Sequence, residues 1–153
     1  MPKTRSVAAI KDGTVIDHIP PGASLILLQL LKLFPSKYRV SLGLNFSSAS
    51  MGYKDIIKIE NRQLTEKEAH DIAVFAPQAT INTIKNYQLI HKTTVQLPNK
   101  VERILICPNP RCITNCQCVE TQFFVSEHKH EVRLRCYFCE KTFQRQEIKD
   151  YRP

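Results

Sequence analysis

Four cysteines near the C-terminus carry the strongest chemistry in this sequence: Cys107-Pro-Asn-Pro-Arg-Cys112 and Cys136-Tyr-Phe-Cys139. Four residues lie inside the first pair, two inside the second, and twenty-three between the pairs. A tetrahedral Zn²⁺ takes four soft ligands at a metal–sulfur distance of about 2.3 Å, and a short loop with a cysteine at each end delivers two at once. Pro108 and Pro110 stiffen the wider loop. The spacing predicts a structural Zn(Cys)₄ site that holds a fold together and leaves no open position for catalysis. A disulfide framework and a thioredoxin-like redox pair are the alternatives. No secretory signal precedes the cysteines and no strand-turn-helix context surrounds Cys136, so neither is favoured.

Other residues are candidates with weaker spacing. His128 and His130 could ligate a metal, but with four paired cysteines at hand they read as a solvated strand edge. Cys116 and Cys118 form a C-x-C between the two pairs and read as free thiols. Lys54 and Lys58 fall on one face of a predicted strand with Ile56, about 13 Å apart at about 3.3 Å per residue. That is a triphosphate-scale span for two long side chains, or an ordinary solvated face. Asp17 and His18, adjacent on a strand, should point to opposite faces and make a poor catalytic dyad. They are two contacts to a ligand wrapped around a strand end, or plain surface residues. Asn82, Tyr87 and Lys92 could close a pocket. No P-loop, Gly-x-Gly-x-x-Gly, Gly-x-Ser-x-Gly or zinc-deaminase motif occurs.

The elements that must position these groups follow from periodicity. Residues 7–10 and 14–19 read as short strands with a turn at Asp12-Gly13. Ser24 is a candidate N-cap for an apolar helix running to Phe34, ahead of Pro35. That helix is apolar nearly all round, so part of it is expected at a subunit interface. Residues 38–46 alternate as a half-buried strand, and 53–60 form another. Thr65 and Glu68 make a capping box that opens a helix ending at Pro77. Residues 80–84 and 87–92 are further strands. The order β-α-β-β-α-β is the ferredoxin-like arrangement, an antiparallel sheet with two helices on one face. Residues 93–100 read as a linker, and strands at 101–106, 123–125, 132–135 and 142–148 build a small all-β, zinc-ribbon-like module. The fold class is thus α+β, with domains expected at 1–98 and 99–153. A module of about fifty residues has too little core to stand alone, so its folding should depend on metal.

The totals bound the function. The chain has 153 residues and a formal charge of +8. The excess is spread over both halves with no basic block, which suits an anionic ligand or acidic partner surface better than nucleic acid. No stretch reaches the length of a membrane span. Reduced cysteines without an export signal point to the cytoplasm. A zinc-ribbon nucleic-acid binder and a redox enzyme using Cys136 and Cys139 remain as competing readings.

Several motifs in order resemble the regulatory chain of aspartate carbamoyltransferase: Gly-Thr-Val-Ile-Asp-His-Ile-Pro at 13–20, Gly52 with Lys-Asp-Ile-Ile-Lys-Ile-Glu-Asn at 54–61, Ala-Pro-Gln-Ala-Thr-Ile-Asn at 76–82, Cys-Pro-Asn…Cys-Ile at 107–113 and Cys-x-x-Cys-Glu at 136–140. The resemblance covers nearly the whole length. It implies a non-catalytic subunit of pyrimidine biosynthesis. A first domain would bind CTP and ATP, with UTP as co-effector and Mg²⁺ as a possible companion, and would pair with itself. A zinc domain would dock on the catalytic chain, with three regulatory dimers bridging two catalytic trimers. The implied nucleotide site is Ala9, Ile10, Asp17, His18, Lys54, Lys58, Asn82, Ile84, Tyr87, Leu89 and Lys92. The metal ligands would be Cys107, Cys112, Cys136 and Cys139, and the docking residues Arg111, Tyr137 and Glu140. The sequence departs from the family at Ala8, where related chains carry an acidic residue, and at Arg111, where an asparagine commonly precedes the second cysteine. Cys116 and Cys118 also lie outside the family pattern.

Overall fold

The computed structural model describes residues 9–148. The chain divides between Gln96 and Leu97 into two compact units. In the first, β1 (Gly13–Ile19), α1 (Ala23–Leu30), β2 (Val40–Ser48), β3 (Gly52–Glu60), α2 (Glu66–Phe75), β4 (Thr80–Lys85) and β5 (Gln88–Thr94) follow in order. The sheet runs β2-β3-β1-β4-β5 with every neighbouring pair antiparallel. This is the ferredoxin-like order with β5 added as an outer edge.

Cross-strand register sorts the side chains onto two faces. Leu42, Ile57, Ile16 and Ile81 stand in one row across the sheet. Ile57 and Ile16 are wholly buried, as are Leu27 of α1 and Ile72 of α2, so this is the face the helices cover. Ser41, Lys58, Val15, Asn82 and Lys92 form the adjacent row on the opposite face. Gly13 lies at φ 142°, and a Cβ there would sit 2.0 Å from the Ile59 carbonyl oxygen, so only glycine lets β1 and β3 close at that point.

Some elements differ from the sequence expectation. Residues 9–10 lie outside any strand, and 7–8 fall outside the described residues. Ser24 is not the cap of α1; Gly22 is, at φ 90°. The helix stops at Leu30, short of Pro35. Lys32 turns left-handed at φ 53°, and the amides of Leu33 and Lys32 donate to the carbonyls of Leu28 and Gln29. That is a Schellman closure formed without glycine, which sequence punctuation cannot flag. Leu25 and Phe34 stay 53% and 80% exposed. The alternation of β2 breaks at a register shift between Gly43 and Phe46, leaving Leu44 on the outside. The capping box of α2 forms as expected: Glu68 N–H donates to Thr65 Oγ1 and Thr65 N–H to the Glu68 carboxylate.

The expected linker at 93–100 is shorter. Thr93 and Thr94 close β5, Val95 N–H donates to the Ala79 carbonyl, and Lys100 already opens β6 (Lys100–Glu102). The second unit continues with α3 (Ile113–Cys116), β7 (Gln122–His128), β8 (Glu131–Cys136) and β9 (Thr142–Gln144), paired in the order β6-β7-β8-β9. Besides the cysteines, its buried apolar residues are Val101, Ile104, Leu105, Phe123, Val132, Leu134 and Ile148, a small core for a free-standing module. The short helix α3 and the 3₁₀ turn Arg145–Glu147 were not legible as elements; the latter replaces the end of a strand expected to reach 148.

Candidate functional site

The outer face of the first sheet gathers nearly every residue expected to touch a nucleotide. Lys58 and Asn82 both stand opposite Val15, and Lys92 stands opposite Asn82. Two residues along β1, Asp17 pairs with Thr80. The Lys54 ammonium reaches over to the Asp17 carboxylate at 3.0 Å, a half-buried ion pair. At the other end of β1, Gly13 pairs with Ile84, and Ile84 with Leu89. Tyr87 N–H donates to the Lys11 carbonyl at 2.9 Å, which draws the β4–β5 turn against the segment carrying Ala9 and the buried Ile10. The face therefore grades from an apolar end at Ile84, Leu89, Tyr87 and Ile10, through Lys58, Asn82 and Lys92, to a charged end at Asp17, His18 and Lys54.

Asp17 and His18 correct the sequence expectation. Regular alternation would separate them, but β1 shifts register between Ile16 and Ile19 and His18 takes φ 58°. The His18 ring then lies on the side of Asp17, with Nδ1 3.2 Å from Thr80 Oγ1 and 3.8 Å from the Asp17 carboxylate. Asn82 supplies a second signal. Its Oδ1 is buried and has no hydrogen-bond partner among the described residues. Such an orphan acceptor costs about 1–3 kcal/mol until something donates to it.

Two supporting residues were missed by sequence reading. Thr80 orients His18, and nothing in a lone threonine on a strand announces that. Asp55 is fully buried on the helix-facing side and accepts from Gly22 N–H at 3.0 Å, Ser24 Oγ and Asn45 N–H at 3.0 Å. Its carboxylate ties the N-terminus of α1 and the irregular point of β2 to β3, where the helix dipole also favours a negative charge. The available signal was an acid at an inward position of an apolar strand.

In the second unit the four cysteine sulfurs lie within 4.8 Å of one another. Cys107 and Cys139 are 3.8 Å apart at sulfur, Cys112 and Cys136 3.7 Å. A tetrahedron with a metal–sulfur bond of about 2.3 Å has an edge of about 3.8 Å. The spacing fits a tetrahedral ion and is far beyond the ~2.05 Å of a disulfide. This excludes the disulfide framework, and none of the six cysteines is bridged. Cys107, Cys112 and Cys136 are almost wholly buried.

The surrounding chain is built to hold these thiols. Asn115 Nδ2–H donates to the carbonyls of Cys107 and Asn109, each at 2.8 Å, and braces the wide loop. Thr114 Oγ1 donates to Cys112 Sγ at 3.2 Å. The second loop closes by Cys136 N–H to the Lys141 carbonyl and Glu140 N–H to the Cys136 carbonyl, with Glu140 at φ 63°. Burial pushes the Cys107 and Cys136 thiols up from 9.0. Cys139 is also raised by burial, but the Lys141 backbone, the Asn109 side chain and the thiols of Cys107 and Cys136 outweigh it and bring it down to about 7. His128 and His130 sit at the β7–β8 hairpin tip, exposed and outside this cluster, as expected.

Two protein-family models together match nearly the whole chain. Residues 5–96 match the allosteric domain, and residues 99–149 the metal binding domain, of the aspartate carbamoyltransferase regulatory chain. This chain belongs to that family. It is 45% identical over 152 residues to the aspartate carbamoyltransferase regulatory chain of Chromobacterium violaceum, covering 99% of this chain and 100% of the relative. The regulatory chain of Vibrio parahaemolyticus is 45% identical over 140 residues, 92% of each chain. That of Serratia proteamaculans is 45% identical over 142 residues, covering 93% of this chain and 92% of its own.

As a regulatory chain it is a non-catalytic subunit that associates with the catalytic chain, and its second unit is a metal-binding domain. The three residues expected to dock the partner surround the metal loops. Arg111 is exposed between Pro110 and Cys112, and Glu140 follows Cys139 with Arg135 3.7 Å away. Tyr137 is 52% exposed and packs between Phe124 and Phe138, at 5.9 and 5.1 Å between ring centroids. Sequence reading did not single out Phe124, Phe138 or Ile113, exposed apolar neighbours in the same module.

Proposed function

We propose that this regulatory chain binds nucleoside triphosphates, CTP and ATP with UTP as co-effector, on the outer face of its five-stranded sheet, and passes that occupancy to the catalytic chains. The row Lys58–Asn82–Lys92, with its orphaned buried Asn82 oxygen, is the observation that carries this reading. A ligand bearing both hydrogen-bond donors and several negative charges satisfies all three side chains. The gradation of the face sets its direction: the base lies with Ala9, Ile10, Ile84, Tyr87 and Leu89. Lys58 and Asn82 serve the ribose, whose hydroxyl donates to the orphaned Asn82 Oδ1, and His18 and Lys92 serve the phosphates. Lys54, paired with Asp17 at 3.0 Å, serves the phosphates or a second nucleotide. Asp17 accepts from a ribose hydroxyl or holds a Mg²⁺ ion.

Effectors act only through different affinity for two states of an assembly, so the signal needs the catalytic partner. The metal of the second unit is Zn²⁺, supported by four thiol ligands at tetrahedral spacing. Its role is structural. It fixes the loops that present Arg111, Tyr137 and Glu140 to the catalytic chain, where Arg111 makes an ion pair in place of an amide contact. The first units pair with each other, which would cover exposed apolar residues such as Leu25, Phe34 and Leu44. Three such dimers bridge two catalytic trimers in the cytoplasm. Isothermal titration of the full chain with CTP and with ATP tests the central step. Binding heat at millimolar nucleotide or below is expected, and silence with both would overturn it.

A further inference from the structure

Cysteine is among the residue types most often buried, yet Cys116 and Cys118 are both exposed. They line a shallow, open concavity of about 480 Å³ formed by residues 114–120. Their position is tied to the metal centre by a single helical turn. Cys112, a member of the four-thiol cluster, is the N-cap of α3, and Cys116 is its last residue. Residues four apart on a helix are neighbours on its surface. The Cys116 sulfur lies 3.9 Å from the Pro110 carbonyl, so it is directed back over the Cys107–Cys112 loop. Thr114, between the two cysteines, is hydrogen-bonded to Cys112 Sγ. The centre itself offers little to an approaching ion, because only Cys139 of its four thiols is more than marginally exposed.

From this arrangement we propose that Cys116 and Cys118 form a two-thiol landing site that takes a soft divalent ion from solution and hands it to the four-cysteine centre. Two thiolates leave coordination positions open, so the ion is held loosely and exchanges ligands readily; four thiolates close the shell and retain it. Each exchange forms one metal–sulfur bond at the centre, with loss of that thiol's proton. It breaks one bond to water or to Cys116 or Cys118, and a released thiolate takes a proton back. No oxidant or reductant is involved. The inference rests on the centre holding a metal, and the test separates the two.

The full-length chain and its C116S/C118S variant are stripped of metal and compared. With Cd²⁺ as probe, followed by thiolate-to-metal absorption, the wild-type chain is expected to take a second, weaker ion after the centre has filled, and the variant only the first. In stopped-flow uptake of Zn²⁺ from a weak chelator, the variant should load several-fold more slowly while reaching the same final content. A wild-type chain that stops at one Cd²⁺, a second ion that persists in the variant, or equal uptake rates would each overturn the landing site. The Cd²⁺ stoichiometry of the wild-type chain decides this even if the variant folds poorly. Failure of the wild-type chain to retain any ion would refute the metal centre instead.

Discussion

Lys58 stands beside Val15, one strand away from Asn82, on the face that the helices leave open. Replacing it with glutamine keeps much of the stem and removes the charge. A hydrogen bond to a charged group is worth about 1.5–3 kcal/mol, so CTP affinity should fall by roughly ten- to a hundredfold. Calorimetric titration reads this directly, and an unchanged melting midpoint would show that the loss is in binding. At the metal centre the expectation concerns pH. The Cys107 and Cys136 thiols are raised by burial in the metal-free chain, so they hold protons at neutral pH that an incoming ion must displace. Cys139, lowered to about 7, takes up a proton as pH falls through that value. Metal affinity must therefore rise with pH and drop most steeply below about 7. Chelator competition across neutral pH measures it, and a flat profile would contradict the assignment. Cys107, Cys112, Cys136 and Cys139 were legible in the sequence because ligand spacing is local chemistry. Lys54, Lys58, Asp17 and His18 were legible only as candidates, since the row that joins Lys58 to Asn82 is a matter of register between strands far apart in the chain. The side on which His18 falls was decided by a bulge that no residue type announces.

At the scale of elements, Asp55 is the residue on which the first unit turns. It is wholly buried and accepts from the backbone of two other elements and from Ser24. Asp55→Asn keeps the volume but removes the charge and turns donors toward donors. The loss should be on the order of 3 kcal/mol, read as a lower midpoint in urea unfolding with the slope unchanged. A variant as stable as wild type would show that the α1–β3 tie carries little. The strands and the capping box of α2 were readable because alternation and Thr65-x-x-Glu68 are short-range signals. The end of α1 was not. Its Schellman closure at Lys32 places a lysine where glycine is usual, so the apolar run toward Pro35 suggested a longer helix. The outer strand β5 was readable although its residues are exposed, and its end moved from 92 to Thr94.

At the scale of the molecule, the two units differ in what holds them. The first has a sheet packed beneath two helices, with Ile16, Ile57, Ile59 and Ile72 fully buried. The second has a thin core and four clustered thiols. Stripping the metal should therefore unfold the second unit alone, because binding a structural Zn²⁺ supplies about 10–16 kcal/mol in comparable small modules. Hydrogen exchange should show protection lost in β7 and β8 and kept in β1 and β3, with CTP still bound and association with the catalytic chain abolished. Retained protection in β7 and β8 would contradict the metal's structural role. The most direct test of the regulatory account is the aspartate saturation curve of the complex formed with the catalytic chain from the same source, with and without CTP. The account predicts that CTP shifts the midpoint of that curve, and that at a CTP concentration just sufficient for the wild-type complex the shift is largely lost when Lys58→Gln is carried in an otherwise intact complex. A midpoint that CTP leaves unmoved in the wild-type complex, or moves equally in the variant, would contradict it.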